Sequence, residues 1–237
     1  MFLFKLFIFL LPLLRRSASC EHHILKPVNT KDLIQKYERD LNTSKVLQKD
    51  DRNLMLSWAD EYQIRRLDVT MKYRLQMVKH QEHSFKSNGN VKWIDCLYIH
   101  RKDIRRSIRF YHDNEHECLK AATSNDAETK ENVEQVEKEI SKWRKGYRYL
   151  INLCNDEYPR NEKMSQHCLV EYMQNDNYGE VIQRLMILKQ RAIDNLYGYF
   201  NSSLIALEEC LRSQLSRYLD RIRSIMETLN KCYSFNT

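Results

Sequence analysis

The chain has 237 residues, of which 42% are hydrophobic and 30% charged, with only four glycines and three prolines. So few turn formers exclude a β-protein of this size, and four scattered glycines exclude a glycine-rich phosphate loop. The formal net charge of +7 comes from 39 basic and 32 acidic residues interspersed along the chain, which is not the one-sided field of a nucleic-acid binder.

Residues 1–19 read as a secretory signal peptide. Lys5 precedes the apolar run Leu6–Leu14, and the small residues Ser17, Ala18 and Ser19 follow. The run is too short to span a bilayer, which takes roughly 20 apolar residues. Arg15 and Arg16 intervene before the cleavage site, and cuts before or after Cys20 both satisfy the small-residue rule. Removing Lys5, Arg15 and Arg16 leaves 36 basic against 32 acidic residues. No later segment is apolar enough to cross a membrane, so stable membrane insertion is not expected.

Beyond the leader, apolar periodicity and the scarcity of breakers predict helices near 31–48, 51–86, 91–122, 127–155, 162–175 and 180–233. Ile64, Leu67, Met71, Leu75 and Val78 step by three and four. Trp93, Leu97, Ile104, Ile108, Tyr111 and Cys118 form the next stripe. Val133, Val136, Ile140, Trp143, Tyr147, Leu150 and Cys154 alternate three and four without a miss, as in antiparallel bundle or coiled-coil packing. Gly146 interrupts that seam at about 1 kcal/mol against alanine. Leu204, Leu207, Leu211, Leu215, Tyr218, Ile222, Ile225, Leu229 and Cys232 mark the last and longest helix. Turns are expected at Asn88-Gly89-Asn90, Ser124-Asn125-Asp126, around Pro159 with Asn161 capping the next helix, and at Asn175–Gly179. The expected fold is all-α: an elongated antiparallel bundle of about six helices, cross-linked by disulfides. A cysteine-free helical arm (28–86), packed on the bundle or extending from it, precedes a stapled helical domain (91–237).

Seven cysteines are present, and loss of Cys20 with the leader leaves six: Cys96, Cys118, Cys154, Cys168, Cys210 and Cys232. An even number suits three disulfides in an oxidising compartment. Cys96 and Cys118 are 22 residues apart, as are Cys210 and Cys232. That spacing is just over six helical turns and about 33 Å, so both members face one way but cannot reach each other. Antiparallel docking of two such ladders matches Cys96 with Cys232 and Cys118 with Cys210. Cys154 and Cys168 then flank the Pro159 turn and close a hairpin. This is the favoured pairing among fifteen; parallel docking would pair Cys96 with Cys210 and Cys118 with Cys232. Two sequons, at Asn42 and Asn201, are candidate glycosylation sites usable in the secretory route.

The segment His116-Glu117-Cys118-Leu119-Lys120-Ala121-Ala122 leads to a charged helix ending Leu153-Cys154. A further Cys168 follows, then Asn195–Phe200, Cys210 and Leu229-Asn230-Lys231-Cys232. This resembles the TsetseEP family of insect secreted proteins over roughly residues 91–237. The chain departs from the name-giving member in having no Glu-Pro repeat tail after Cys232, and in the arm at 28–86. The resemblance implies an insect origin, an extracellular setting such as the gut lumen, and no established catalysis.

No catalytic, metal or cofactor constellation is expected. His112 and His116 stand at i,i+4, but lack the glutamate order of zinc peptidases and any identifiable third ligand, so a solvated face is the reading. His80 with His83 reads the same way, and His22-His23 adjoins the leader. The basic stretch Ile104–Arg109, with Arg101 and Lys102, reads as a solvated flank that could also meet an anionic surface. The expectation is a secreted glycoprotein without enzymatic activity that binds an extracellular macromolecule or surface of unspecified identity, not nucleic acid, in an unspecified oligomeric state. The alternative is a carrier of an apolar small ligand in a helical cavity.

Overall fold

The computed structural model describes residues 29–87 and 89–235. The expected leader (1–19), Cys20 and His22-His23 lie outside them. The described residues form six α-helices and no strand: α1 (Thr30–Ser84), α2 (Val91–Ile99), α3 (Arg101–Ala122), α4 (Asp126–Glu157), α5 (Glu162–Asn175) and α6 (Tyr178–Phe235). The all-α, disulfide-linked bundle is thus the fold.

Two boundaries differ from the sequence expectation. The two helices expected at 31–48 and 51–86 are one 55-residue helix. No glycine or proline lies within it, and the charged Lys49-Asp50-Asp51 run supplies solvation, not a break. The single helix expected at 91–122 is instead interrupted at His100, which caps α2 through its N–H to the Cys96 carbonyl. Most other signals act as read, although Asn125 makes no side-chain cap on α4 and Asn88 of the Asn88-Gly89-Asn90 turn lies outside the described residues. The side chains of Asn90 and Asn161 accept hydrogen bonds from the N–H groups of Trp93 and Met164. Gly89 takes φ +76° and Asn177 φ +51°, the left-handed conformations that turn the chain into α2 and α6.

The architecture follows from which residues meet. Asp40 meets Gln183, Trp58 meets Tyr197 and Lys72 meets Glu208, so α1 and α6 run parallel. Against α6, Tyr111 meets Tyr218 and Cys118 meets Cys210, so α3 runs antiparallel. Glu137 meets Lys189 and Trp143 meets Tyr178, so α4 does too. α2, α3 and α4 therefore form one segmented antiparallel rod between two long parallel helices. At 1.5 Å per residue, α1 is about 82 Å long and α6 about 87 Å. The short α5 folds back at the α4 end.

Three core clusters lie in series along this rod. One joins Tyr37 and Leu41 of α1 to Ile140, Tyr147 and Leu150 of α4, Leu169 and Met173 of α5, and Ile182 of α6. The middle one joins Tyr62 to Val133, Ile193, Leu196 and Phe200. The third joins Tyr73 and Met77 to Tyr111, Cys118, Leu207, Leu211 and Tyr218. Residues 30–84 thus contribute to every cluster and do not stand apart as a free arm. Gly146 has its own reason. A Cβ there would lie 3.3 Å from the Tyr178 hydroxyl, so the missing side chain lets that ring dock edge-on to Trp143.

The α4 seam is buried as its periodicity requires, and so is the α6 stripe. The α1 stripe is not, apart from Val78, which is half-buried against the third cluster. Ile64, Leu67, Met71 and Leu75 are 60%, 62%, 44% and 52% exposed. The face of α1 that enters the core is instead Tyr62, Thr70, Tyr73 and Met77. The choice of face has a physical basis: tyrosines bury large ring area and threonine returns its hydroxyl to the backbone. Thr70 Oγ1 donates to the Arg66 carbonyl at 2.8 Å.

Candidate binding surface

The cysteines are the sequence-read residues that the fold brings together most directly. Cys96 is bonded to Cys232, Cys118 to Cys210 and Cys154 to Cys168, with Cα separations of 6.0, 5.8 and 5.9 Å. The first two are the rungs that antiparallel docking of equal ladders requires, and the third closes the Pro159 hairpin. All six therefore serve as cross-links, not as nucleophiles or ligands.

Both sequons lie inside helices. Asn42 is exposed on α1 and Asn201 is half-buried on α6. Their serines are tied into the fold: the Ser44 hydroxyl donates to the Leu41 carbonyl at 2.7 Å, and that of Ser203 to the Ala122 carbonyl at 2.6 Å. The latter belongs to a polar knot at the α3–α4 junction. The Tyr62 and Tyr199 hydroxyls also lie 2.7 and 3.1 Å from the Ala122 carbonyl, and Tyr62 lies 2.9 Å from Ser203 Oγ. Residues from α1 and α6 thus satisfy the C-terminal end of α3, whose last carbonyls have no partner within the helix.

A second polar layer separates the first core cluster from the middle one. Lys189, buried on α6, places Nζ 2.7 Å from Asp51 of α1 and 2.8 Å from Glu137 of α4. Glu137 also receives Arg144 at 2.7 Å, and Arg144 reaches Gln48 at 2.8 Å. Three helices thereby share one ionic network. In the third cluster Glu115, 3% exposed, accepts two hydrogen bonds from Arg74 at 3.1 and 2.8 Å. His112 Nδ1 lies 3.3 Å from the same carboxylate. His112 therefore partners Glu115, while His116 points to solvent. Among the described residues, no group of three His, Cys, Asp or Glu is arranged to hold a metal ion.

The surface offers open clefts. Two of them are about 560 Å³, beside His83, Asn90, Trp93 and Tyr233, and about 520 Å³, between α1 and α4 beside Asn42, Lys45, Arg144 and Arg148. Both are open to solvent and lined by polar as well as apolar groups. The basic stretch of α3 is solvated, as read: Arg106 pairs with Asp103 at 3.7 Å, and Arg101 stacks on Tyr98 at 4.3 Å. Among the described residues no helix is long and apolar enough to cross a membrane.

The outward stripe of α1 is the feature that the core does not explain. Four large apolar side chains at helical spacing occupy the side of α1 opposite Tyr62, Tyr73 and Met77. An exposed apolar strip of this kind marks an interaction surface more often than a scattered exposed leucine does. No protein-family model, no curated protein and no solved structure matches this chain.

Proposed function

We propose that this is a secreted helical rod that works in an extracellular lumen by binding through its surface, without catalysis. The observation that carries the reading is the apolar outer face of α1 on a scaffold closed by three disulfides. The leader-like residues 1–19 and the bonded cysteines support an oxidising compartment. The cysteine spacing supports placing residues 91–237 beside the TsetseEP family of insect secreted proteins. Glycosylation at Asn42 and Asn201 belongs to the same reading. Because Ser44 and Ser203 are committed to backbone carbonyls, the glycans would be added before the helices close.

The carrier alternative needs an enclosed apolar cavity. The clefts among the described residues are open and partly polar, so surface binding is the better supported reading. The test is expression with the native leader, followed by peptide mapping of the secreted product and cross-linking mass spectrometry in native fluid. Wild type is expected to cross-link through α1 residues 60–79, and Leu67→Glu to lose those links. Retention inside the cell, or an apolar small molecule co-purifying at one per chain, would overturn the reading.

A further inference from the structure

Between Glu61 and Lys79, α1 presents a pattern that is complementary to itself. Ile64, Leu67, Met71 and Leu75 form an outward seam about 17 Å long at 1.5 Å per residue. Along one flank of that seam, within about one residue's rotation of it, lie Glu61, Asp68, Lys72 and Lys79, all exposed. Glu61 and Lys79 are nine residues either side of Thr70; Asp68 and Lys72 are two residues either side of it.

We propose that this face binds a second copy of the chain, α1 against α1 in antiparallel orientation, with the two-fold axis level with Thr70. This rests on the reading above that the outer face of α1 is a binding surface, and it names the partner. In a symmetric antiparallel pair each flank faces its own counterpart, so residues equally far on opposite sides of the axis meet. Glu61 then meets Lys79 of the copy, and Asp68 meets its Lys72, each twice. The seam interleaves under the same axis: Leu67 falls between Met71 and Leu75 of the copy, and Ile64 falls against its Leu75. In a parallel pair that flank would face the opposite flank of the copy, which carries Gln63 and Arg74, and both matches would be lost. The same registration thus satisfies these four flank charges and the apolar side chains together, while it sets the like-charged Asp60 and Glu82 near each other at the ends.

The pair is expected to be weak and reversible. The four apolar side chains leave on the order of 400 Å² exposed per copy, which with the flanks puts the interface near the low end for specific complexes. Asp60 and Glu82 lie on the same outward line and bound the seam at its two ends. Across the axis they fall close together, which confines contact to this stretch. Lys72 already meets Glu208 of α6 at 2.8 Å, so it would be shared between two carboxylates.

The experiment is sedimentation equilibrium of the oxidised secreted chain from about 2 to 500 µM. A monomer–dimer equilibrium with a dissociation constant of micromolar order is expected. Leu67→Glu should remain monomeric throughout, with unchanged helix content and melting, because this side chain makes no core contact. Lys79→Glu should weaken the dimer about tenfold, and Glu61→Lys combined with Lys79→Glu should restore most of that loss. A wild type that stays monomeric to 500 µM overturns the proposal, as does a dimer indifferent to Leu67→Glu or a double reversal no better than the single one. If wild type is monomeric but Leu67→Glu still abolishes cross-linking to luminal material, the second copy is wrong and the binding surface stands. If neither effect is seen, both fall.

Discussion

The two halves of the rod, which meet at the α3–α4 junction, are held together by opposite means. In the half built from α2, α3 and the C-terminal parts of α1 and α6, two disulfides join segments 136 and 92 residues apart in sequence. Only α1 is docked there without a covalent tie, through Tyr73, Met77 and the Arg74–Glu115 pair. In the half built from α4, α5 and the N-terminal parts of α1 and α6, the one disulfide joins neighbours only 14 residues apart. It does nothing to hold α4 against α6 or α1. That task falls to the Lys189–Asp51–Glu137–Arg144 network and to the rings of Tyr37, Tyr147, Tyr178 and Trp143. Covalent closure sets the register of one half, and buried charge sets that of the other.

The largest effect that would sharpen this contrast is removal of a long-range rung. Cys118→Ser with Cys210→Ser opens a loop of nearly a hundred residues and should cost about 4–5 kcal/mol in the chain-entropy model; Cys154→Ser with Cys168→Ser should cost about 3 kcal/mol. Denaturant unfolding of the two double variants measures the difference. Hydrogen exchange locates it: the first variant should speed exchange in α3 and the C-terminal part of α6 while leaving α4 and α5 protected. Equal, global acceleration in both variants would show that the halves unfold as one unit.

Next in size is the ionic layer. Lys189→Met keeps the length of the side chain but strands Asp51, 16% exposed, and leaves Glu137, 17% exposed, with Arg144 alone. Breaking a fully buried pair costs about 3–5 kcal/mol, so this partly solvated one should cost about 2–3 kcal/mol. The loss should appear as faster exchange in α4 and in residues 40–55 of α1, with the disulfide-laddered half unaffected. A loss spread evenly along the rod would argue against the network as a local register device.

How much of this was legible in the sequence depended on which signal each element carried. α4 and α6 announce themselves because most of their buried positions are aliphatic, so period and burial coincide at Val133, Ile140, Leu207 and Leu211. The ladder was readable because two equal spacings on helices admit only a few dockings. α1 was harder to read because its aliphatic period is real yet belongs mostly to the outside, while Tyr37, Tyr62, Thr70 and Tyr73 fill the core. Periodicity identifies a face and not the direction it points. The polar layer had no local signature at all: Asp51, Glu137 and Lys189 lie far apart in sequence and each looks like an ordinary solvated charge. The exposed apolar stripe was likewise present in the sequence as residues 64–75, but only the fold shows that nothing among the described residues covers it.

The smallest expected effect distinguishes a partnered buried tyrosine from an unpartnered one. Tyr62 has its hydroxyl 2.7 Å from the Ala122 carbonyl, whereas Tyr218, fully buried in the laddered half, finds no hydrogen-bond partner among the described residues. Tyr62→Phe should therefore destabilise by about 1 kcal/mol, and Tyr218→Phe should be neutral or stabilising by about 1 kcal/mol, because it relieves the desolvation of a lone hydroxyl. Alkali provides a second readout on the same residue. Burial pushes the Tyr218 phenol up to about 12 from an ordinary 10. A neutral phenol favoured by the folded state contributes stability in full below pH 10, and that contribution is lost as the pH rises from 10 through 12. Wild type should accordingly lose stability more steeply across that window than Tyr218→Phe, with the two curves converging toward neutral pH to the small difference set by the hydroxyl alone. Melting temperatures at pH 7, 10 and 11 measure both quantities. A Tyr218→Phe variant that melts lower at pH 7 would mean the hydroxyl is satisfied in solution, and an identical alkaline slope would mean that other buried tyrosines, Tyr37 and Tyr111 first among them, dominate the loss.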